Sequence, residues 1–148
     1  MNIAFDIHGT FDSHKSIRNI ISFLSRQKHT TSENDLFIIS GPPYGEIASE
    51  IPLPILQAVT IISVVDWLKS KGVKMWQDKE DKWWCEDDIW WESKGLICAE
   101  HEIDLIFDDK IEYKKYMPRY TTFVLVTNKE VVPTIRKGLN INFERRQP

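Results

Sequence analysis

Cysteine is nearly missing from the chain: Cys85 and Cys98 are the only two. That excludes a small fold stapled by disulfides. With no signal-like N-terminus, the pair reads as free thiols in a reducing, cytoplasmic compartment. Long apolar runs are lacking too. The longest greasy stretch, Ile55 to Leu68, is interrupted by Gln57 and Asp66. It falls short of the roughly 20 residues that a membrane-spanning helix needs, so no membrane partner is expected. Neither sign of charge dominates, since 19 Lys and Arg against 22 Asp and Glu leave a net charge of −3. This argues against a dedicated nucleic-acid coat, although it does not exclude a local basic patch. Repeats and low-complexity tails are also lacking. What remains, 148 residues, suffices for one domain over 1–148 whose core needs no metal or disulfide staple.

The stretch Ile3-Ala4-Phe5-Asp6-Ile7-His8-Gly9-Thr10 organises the rest. Strand-forming residues run up to Asp6, then a carboxylate, an imidazole and Gly-Thr arrive where the chain must leave the sheet. Gly9 permits a backbone geometry that a residue with a Cβ resists. After it, Asp12-Ser13-His14 offers capping side chains, and Ile17, Ile20, Ile21 and Leu24 fall at helical spacing, so a helix is expected to end near Lys28. A polar loop His29 to Asp35 leads into the apolar run Leu36 to Ser40, of the kind that forms a strand covered on both faces. Gly41-Pro42-Pro43 ends it, placing Ser40 at a strand tip as Asp6 is.

Gly41 to Pro54 reads as a loop and Pro54 to Lys71 as one helix, with length deciding against a strand and Gly72 supplying the stop. Val73 to Gln77 is a short third strand. The acidic stretch Asp78 to Ser93 carries four of the six tryptophans. A helix from Lys94 to His101, strands Ile103 to Phe107 and Thr122 to Val126, and a short helix near Glu130 to Lys137 complete the expectation. Strands alternating with helices predict an α/β, Rossmann-like three-layer sandwich with a mainly parallel five-stranded sheet. Ligands bind such sheets beyond the carboxyl ends of the strands. Asp6, His8, Ser40, Lys94 and the Asp108-Asp109 pair should therefore converge on one rim.

Carboxylates from two strands would repel one another if left bare. A divalent cation resolves this, and Mg²⁺ suits an all-oxygen site that keeps several waters and a substrate phosphate. Ser40 can donate a hydrogen bond to a phosphoryl oxygen, and Lys94 supplies positive charge where negative charge accumulates. These parts fit phosphoryl transfer, with Asp6 as the nucleophile that forms an aspartyl-phosphate.

The order Asp6-Ile7-His8-Gly9-Thr10, Ser40-Gly41 after a strand, Lys94, then Phe107-Asp108-Asp109 after a strand resembles the four motifs of the haloacid dehalogenase (HAD) superfamily. The resemblance covers nearly the whole chain and implies a Rossmann-like core, Mg²⁺ and an aspartyl-phosphate intermediate. It makes Asp6 the nucleophile, His8 the general acid and base, Ser40 the phosphate-binding hydroxyl and Lys94 the orienting cation. Asp6, Asp108, Asp109 and the backbone carbonyl of His8 become the metal ligands. Gly9, Thr10 and Gly41 are expected to border the substrate. His8 is a departure, because phosphatases of the family usually carry Asp there, in the pattern DxDGT. An imidazole titrates near neutrality and can serve as acid and base. The resemblance therefore implies an Mg²⁺-dependent phosphomonoesterase acting on a phosphorylated small molecule or nucleotide. Its alternative is a HAD-like binding or regulatory protein whose altered first motif has lost turnover. A receiver-type signalling domain fits worse, since its acidic pair follows the first strand and its phosphoacceptor the third.

Family members often carry a cap domain, but the segment between Asp6 and Ser40 holds little beyond one helix, and Asp78 to Ser93 is too short to fold alone. No full cap is expected, only a Trp-rich flap over about 78–93. Trp83-Trp84 and Trp90-Trp91 lie seven residues apart and share one face if helical. They could close over the site or stack on a base, or instead cover the core or form a homodimer contact. Lys110, Lys114, Lys115 and Arg119, interleaved with Tyr113, Tyr116 and Tyr120, form a basic loop that could steer a phosphorylated substrate. Nucleic acid is the less favoured partner on overall charge.

Overall fold

The computed structural model describes residues 1–27 and 34–126. The expected helix near Glu130 to Lys137 and most of the loop His29 to Asp35 lie outside them. In chain order the elements are β1 (Asn2–Phe5), α1 (Lys15–Gln27), β2 (Asp35–Ser40), α2 (Tyr44–Glu50), α3 (Leu53–Leu56) and β3 (Val59–Ser63). They continue with α4 (Val64–Ser70), β4 (Trp76–Gln77), β5 (Trp83–Trp84), α5 (Asp87–Glu100), β6 (Leu105–Asp108) and β7 (Thr122–Leu125). A wide turn, Ile7–Phe11, follows β1, and a 3-10 helix, Ile111–Tyr116, follows β6.

The main sheet has five strands in the order β3-β2-β1-β6-β7, and every pair is parallel. Successive side chains on a strand point to opposite faces, which divides the core in two. Ile3, Phe5, Leu36, Ile38 and Phe107 meet Ile17, Ile20, Ile21 and Leu24 of α1 and Ile47 of α2 on one face. Ala4, Ile39 and Ile106 meet Val64 and Leu68 of α4 and Ile97 and Cys98 of α5 on the other. The central strands are apolar on both sides for this reason. Stacked rings of Phe5 and Phe107, 4.9 Å apart and 7° from parallel, lock β1 to β6 just below the strand tips. The arrangement is an α/β sheet flanked by helices, as a Rossmann-like sandwich requires. No helix among the described residues is long and apolar enough to cross a membrane.

Four expectations need correction. The helix Pro54 to Lys71 is three elements: α3, β3 and α4. Length misleads here because no glycine or proline separates them. The β-branched run Val59-Thr60-Ile61-Ile62 satisfies its backbone along β2, with Ile61 opposite Ile38. Ser63 then ends the strand and caps α4 by accepting from the Asp66 N–H at 3.0 Å. Second, the run Val73 to Gln77 is no member of the main sheet. Only Trp76–Gln77 is a strand, paired antiparallel with Trp83–Trp84 in a small hairpin. Third, the loop Gly41 to Pro54 contains α2, whose start Pro43 sets up with its fixed φ of −55°. Fourth, α5 begins at Asp87, not Lys94. Asp87 and Asp88 favour its positive N-terminal end. The two tryptophan pairs consequently sit on different elements and share no helical face.

Gly95 lets α5 approach the 3-10 helix, since a Cβ there would lie 2.2 Å from the Tyr116 carbonyl oxygen. Alanine in a helix interior ordinarily stabilises by about 1 kcal/mol over glycine. Here the sign should reverse: Gly95→Ala lowers the thermal midpoint, by an amount equivalent to about 1–3 kcal/mol of overpacking. A raised midpoint in a melting experiment would refute this packing account.

Candidate functional site

The chain adds β2 and β3 on one side of β1, then crosses back to place β6 and β7 on the other. The crevice between β1 and β6 is thus the point where strand order reverses, and the carboxyl ends of these strands frame it. Phe5 is paired with Phe107, so the next residues, Asp6 and Asp108, emerge side by side. The Asp6 N–H donates to the Phe107 carbonyl at 2.9 Å, extending the ladder to the site itself.

Lys94 reaches this pair from the middle of α5. Its Nζ lies 3.1 Å from Asp6 Oδ1 and 2.5 Å from Asp108 Oδ2, with all three residues buried. The Lys110 N–H donates to the other Asp108 oxygen at 2.9 Å, and the Tyr113 ring stands 4.6 Å from the ammonium. Burial works against the charged form of Lys94, but Asp108 and Asp6 outweigh it and hold its pKa above the ordinary lysine value. Burial pushes the Asp108 carboxyl upward, the Lys94 ammonium pulls it back, and Asp6 raises it again, for a net upward shift. Burial likewise lifts the Tyr113 phenol to about 12 and the Cys98 thiol, one turn beyond Lys94, to about 12. Cys98 is therefore an inert core residue rather than a nucleophile.

Asp109 completes the cluster: one ligand oxygen from each of Asp6, Asp108 and Asp109 lies within 4.8 Å of the others. Gly9 makes room for it. After β1 the chain turns through two wide hydrogen bonds, Phe11 N–H to Asp6 O at 3.3 Å and Asp12 N–H to Ile7 O at 3.0 Å. Gly9 sits within the turn at φ +77°, and a Cβ there would fall 2.2 Å from Asp109 Oδ2. Glycine is required twice over, by conformation and by space.

Three carboxylates meet the buried Lys94 ammonium and, from the exposed side, the Lys110 ammonium 3.6 Å from Asp109, so negative charge stays in excess and a cation would offset it. The donors are all oxygen, the class preferred by Mg²⁺. Thr10 Oγ1, Ser40 Oγ and Asp109 Oδ1 are buried and have no hydrogen-bond partner among the described residues. An unsatisfied buried polar atom costs about 1–3 kcal/mol, and three such atoms at one strand rim point to a ligand that would satisfy them. The donor set and these orphaned atoms fit a hard divalent cation together with an oxyanion.

His8 stands apart from the cluster's interior. Its side chain is half-exposed, and its Nε2 lies 3.0 Å from Glu50 Oε2 at the end of α2. Gly41 is in place beside Ser40 and faces the Trp90 ring. Of the flap tryptophans, Trp83 lines a cavity next to Gly41. Trp84 is exposed and donates its indole N–H to Asp78 Oδ2 at 2.8 Å. Sequence reasoning missed Glu50, Tyr113 and the position of Trp90. For Trp90 a signal existed, because it lies four residues before Lys94 and so on the same helical face. Glu50 and Tyr113 are brought in by loops and helix ends that carry no motif.

No family model, curated protein or solved structure matches the chain.

Two variants test the cluster. Lys94→Met keeps the bulk and removes the charge, leaving two buried carboxylates facing each other; it should destabilise by about 3–5 kcal/mol at neutral pH. The loss should shrink on acidification, as the carboxylates take up protons, and on adding Mg²⁺. In the unsubstituted protein, while its carboxylate partners are ionised, the Lys94 contribution is full below 10.5, the unfolded lysine value. It is lost only as pH rises through the higher folded value. Urea midpoints independent of pH and Mg²⁺ in the variant would contradict the ion-pair account. Gly9→Ala should displace Asp109 and weaken Mg²⁺ binding by calorimetry at least about tenfold, as loss of one metal ligand's placement does; unchanged affinity would remove Asp109 from the ligand set.

Proposed function

We propose that the protein is a Mg²⁺-dependent phosphohydrolase of the HAD type, working in the reducing, cytoplasmic setting that its two free, buried cysteines suit. The observation that carries this reading is Lys94 bridging Asp6 and Asp108, with Asp109 beside them, at the reversal point of a parallel sheet. Asp6, Asp108 and Asp109 would hold the cation, with the His8 backbone carbonyl as a further oxygen ligand. When bound, the cation would neutralise the phosphoryl oxygens and let an anionic nucleophile approach an anionic substrate.

The chain's own residues then divide the work. One Asp6 carboxylate oxygen attacks phosphorus, and the bond from phosphorus to the leaving oxygen breaks. His8 gives that oxygen a proton, forming the free alcohol and an aspartyl-phosphate. His8 then takes a proton from water as the water oxygen attacks phosphorus, releasing inorganic phosphate and restoring Asp6. Lys94 orients the Asp6 carboxylate and limits its repulsion from Asp108. The orphaned hydroxyls of Ser40 and Thr10 supply donors for the phosphoryl oxygens.

One observation favours a second reading, a HAD-like binding protein without turnover: the His8 imidazole is turned to Glu50 and half-exposed. The readings separate on p-nitrophenyl phosphate. An enzyme releases phosphate with Mg²⁺ and not with EDTA, and Asp6→Asn lowers kcat by about a thousandfold or more. His8→Ala should cost about 10²–10⁴ in kcat, and His8→Asp should restore much of it. Absence of phosphate release from a broad ester panel, in the unsubstituted protein and in His8→Asp alike, would sink the enzyme reading.

A further inference from the structure

A cavity of about 420 Å³, within the range of small-ligand sites, is bordered by Gly41, the residue after Ser40. Its floor is the loop after β2, Gly41 to Pro43, and its walls include Trp83 of the hairpin and Trp90 of α5. Two contacts tie it to the cluster. Trp90 and Lys94 are one helical turn apart on one face of α5, and the Trp90 ring packs on Gly41, where a Cβ would lie 3.3 Å away. Gly41 follows Ser40, whose buried hydroxyl has no hydrogen-bond partner among the described residues. A phosphoryl group held at Ser40 and Asp6 would therefore direct the rest of its ester into this cavity.

The charge of the lining decides what can enter. Glu46, Glu80, Asp81 and Lys82 all face the cavity. Lys82 is bound to Glu80 at 3.1 Å, which leaves Glu46 and Asp81 with no ion-pair partner among the described residues. Indole faces attract cations through their quadrupole, and one already does so here: Lys69 Nζ sits 3.3 Å from the centre of the Trp83 ring. Even with Lys69 counted, carboxylates outnumber ammonium groups around the cavity. A second phosphate or another anion would be repelled. An aromatic wall with unopposed carboxylates is the chemistry that recognises ammonium groups.

We infer that this cavity is a subsite for an ammonium group, and that the substrate is a phosphomonoester of an amino alcohol, its positively charged nitrogen resting against Trp90 and opposed by Glu46 and Asp81, while Lys69 keeps the Trp83 ring. The substrate assignment rests on the phosphohydrolase reading; the ammonium subsite does not. The cluster takes the anionic end and the cavity the cationic end, so the two sites together select a zwitterion.

The subsite is tested without turnover on the full chain, by titrating choline and ethanolamine against their neutral counterparts 3,3-dimethylbutanol and propanol and following tryptophan fluorescence and calorimetry. At least one ammonium probe should bind about tenfold more tightly than its neutral counterpart. Glu46→Gln and Asp81→Asn should each reduce that preference several-fold. Asn tolerates the left-handed backbone that Asp81 adopts at φ 60°, so folding is preserved. Equal affinity for charged and neutral probes, or no binding of either ammonium, overturns the subsite. Phosphocholine and phosphoethanolamine then complete the test against p-nitrophenyl phosphate. Hydrolysis of the aryl ester with no ammonium preference discards the subsite and keeps the phosphohydrolase. Ammonium binding weakened by Glu46→Gln, with no phosphate released from any ester, keeps the subsite and discards the phosphohydrolase together with the substrate assignment.

Discussion

One buried ammonium, Lys94, holds the site together. Two carboxylates delivered side by side by adjacent parallel strands cannot stay buried and charged without a counter-ion. Lys94 provides one from a third element, at 3.1 Å from Asp6 and 2.5 Å from Asp108. That contact sets the position of α5 against the strand tips. The position of α5 in turn decides where Trp90 stands, and Gly95 is needed so that the 3-10 helix can close over the same helix. Tyr113, on that 3-10 helix, sets its ring 4.6 Å from the ammonium. Site geometry and packing are here one constraint.

The same charges explain why the cluster is incomplete by itself. Lys94 is the buried ammonium at three carboxylates, Lys110 reaches Asp109 from the exposed side, and Thr10 Oγ1, Ser40 Oγ and Asp109 Oδ1 have no hydrogen-bond partner among the described residues. A core tolerates such atoms where binding supplies what folding does not. The apolar sheet, with Phe5 stacked on Phe107, provides the rigidity that lets the cluster stay open.

Much of this was legible in the chain. Asp6, Ser40, Asp108 and Asp109 are legible because each stands at a strand's end and strand ends gather on one rim in a parallel sheet, whereas Lys94 is expected at the start of a helix that in fact begins at Asp87. The apolar runs at β1, β2, β6 and β7 were read correctly because turn residues or helices of ordinary length bound them. The run Val59 to Ser63 was not, because its strand passes into α4 with no breaker between them. The tryptophan flap was misread for a related reason. A helical period was assumed across a segment whose first half is a hairpin and whose second half is the start of α5.

What the sequence by itself determined is four of the five strands of the main sheet and the identity of its acidic rim, since hydrophobic pattern and chain direction follow from local order along the chain. Only the tertiary structure decided how those residues are partnered. Lys94 is mid-helix rather than at a helix start, and its reach to two strands depends on how α5 packs. His8 meets Glu50 across a separation of 42 residues. The cavity beside Gly41 is enclosed by the β2 loop, the hairpin and α5, segments well apart in sequence. Distances between such segments are set by side-chain packing over the whole core, which no local pattern encodes.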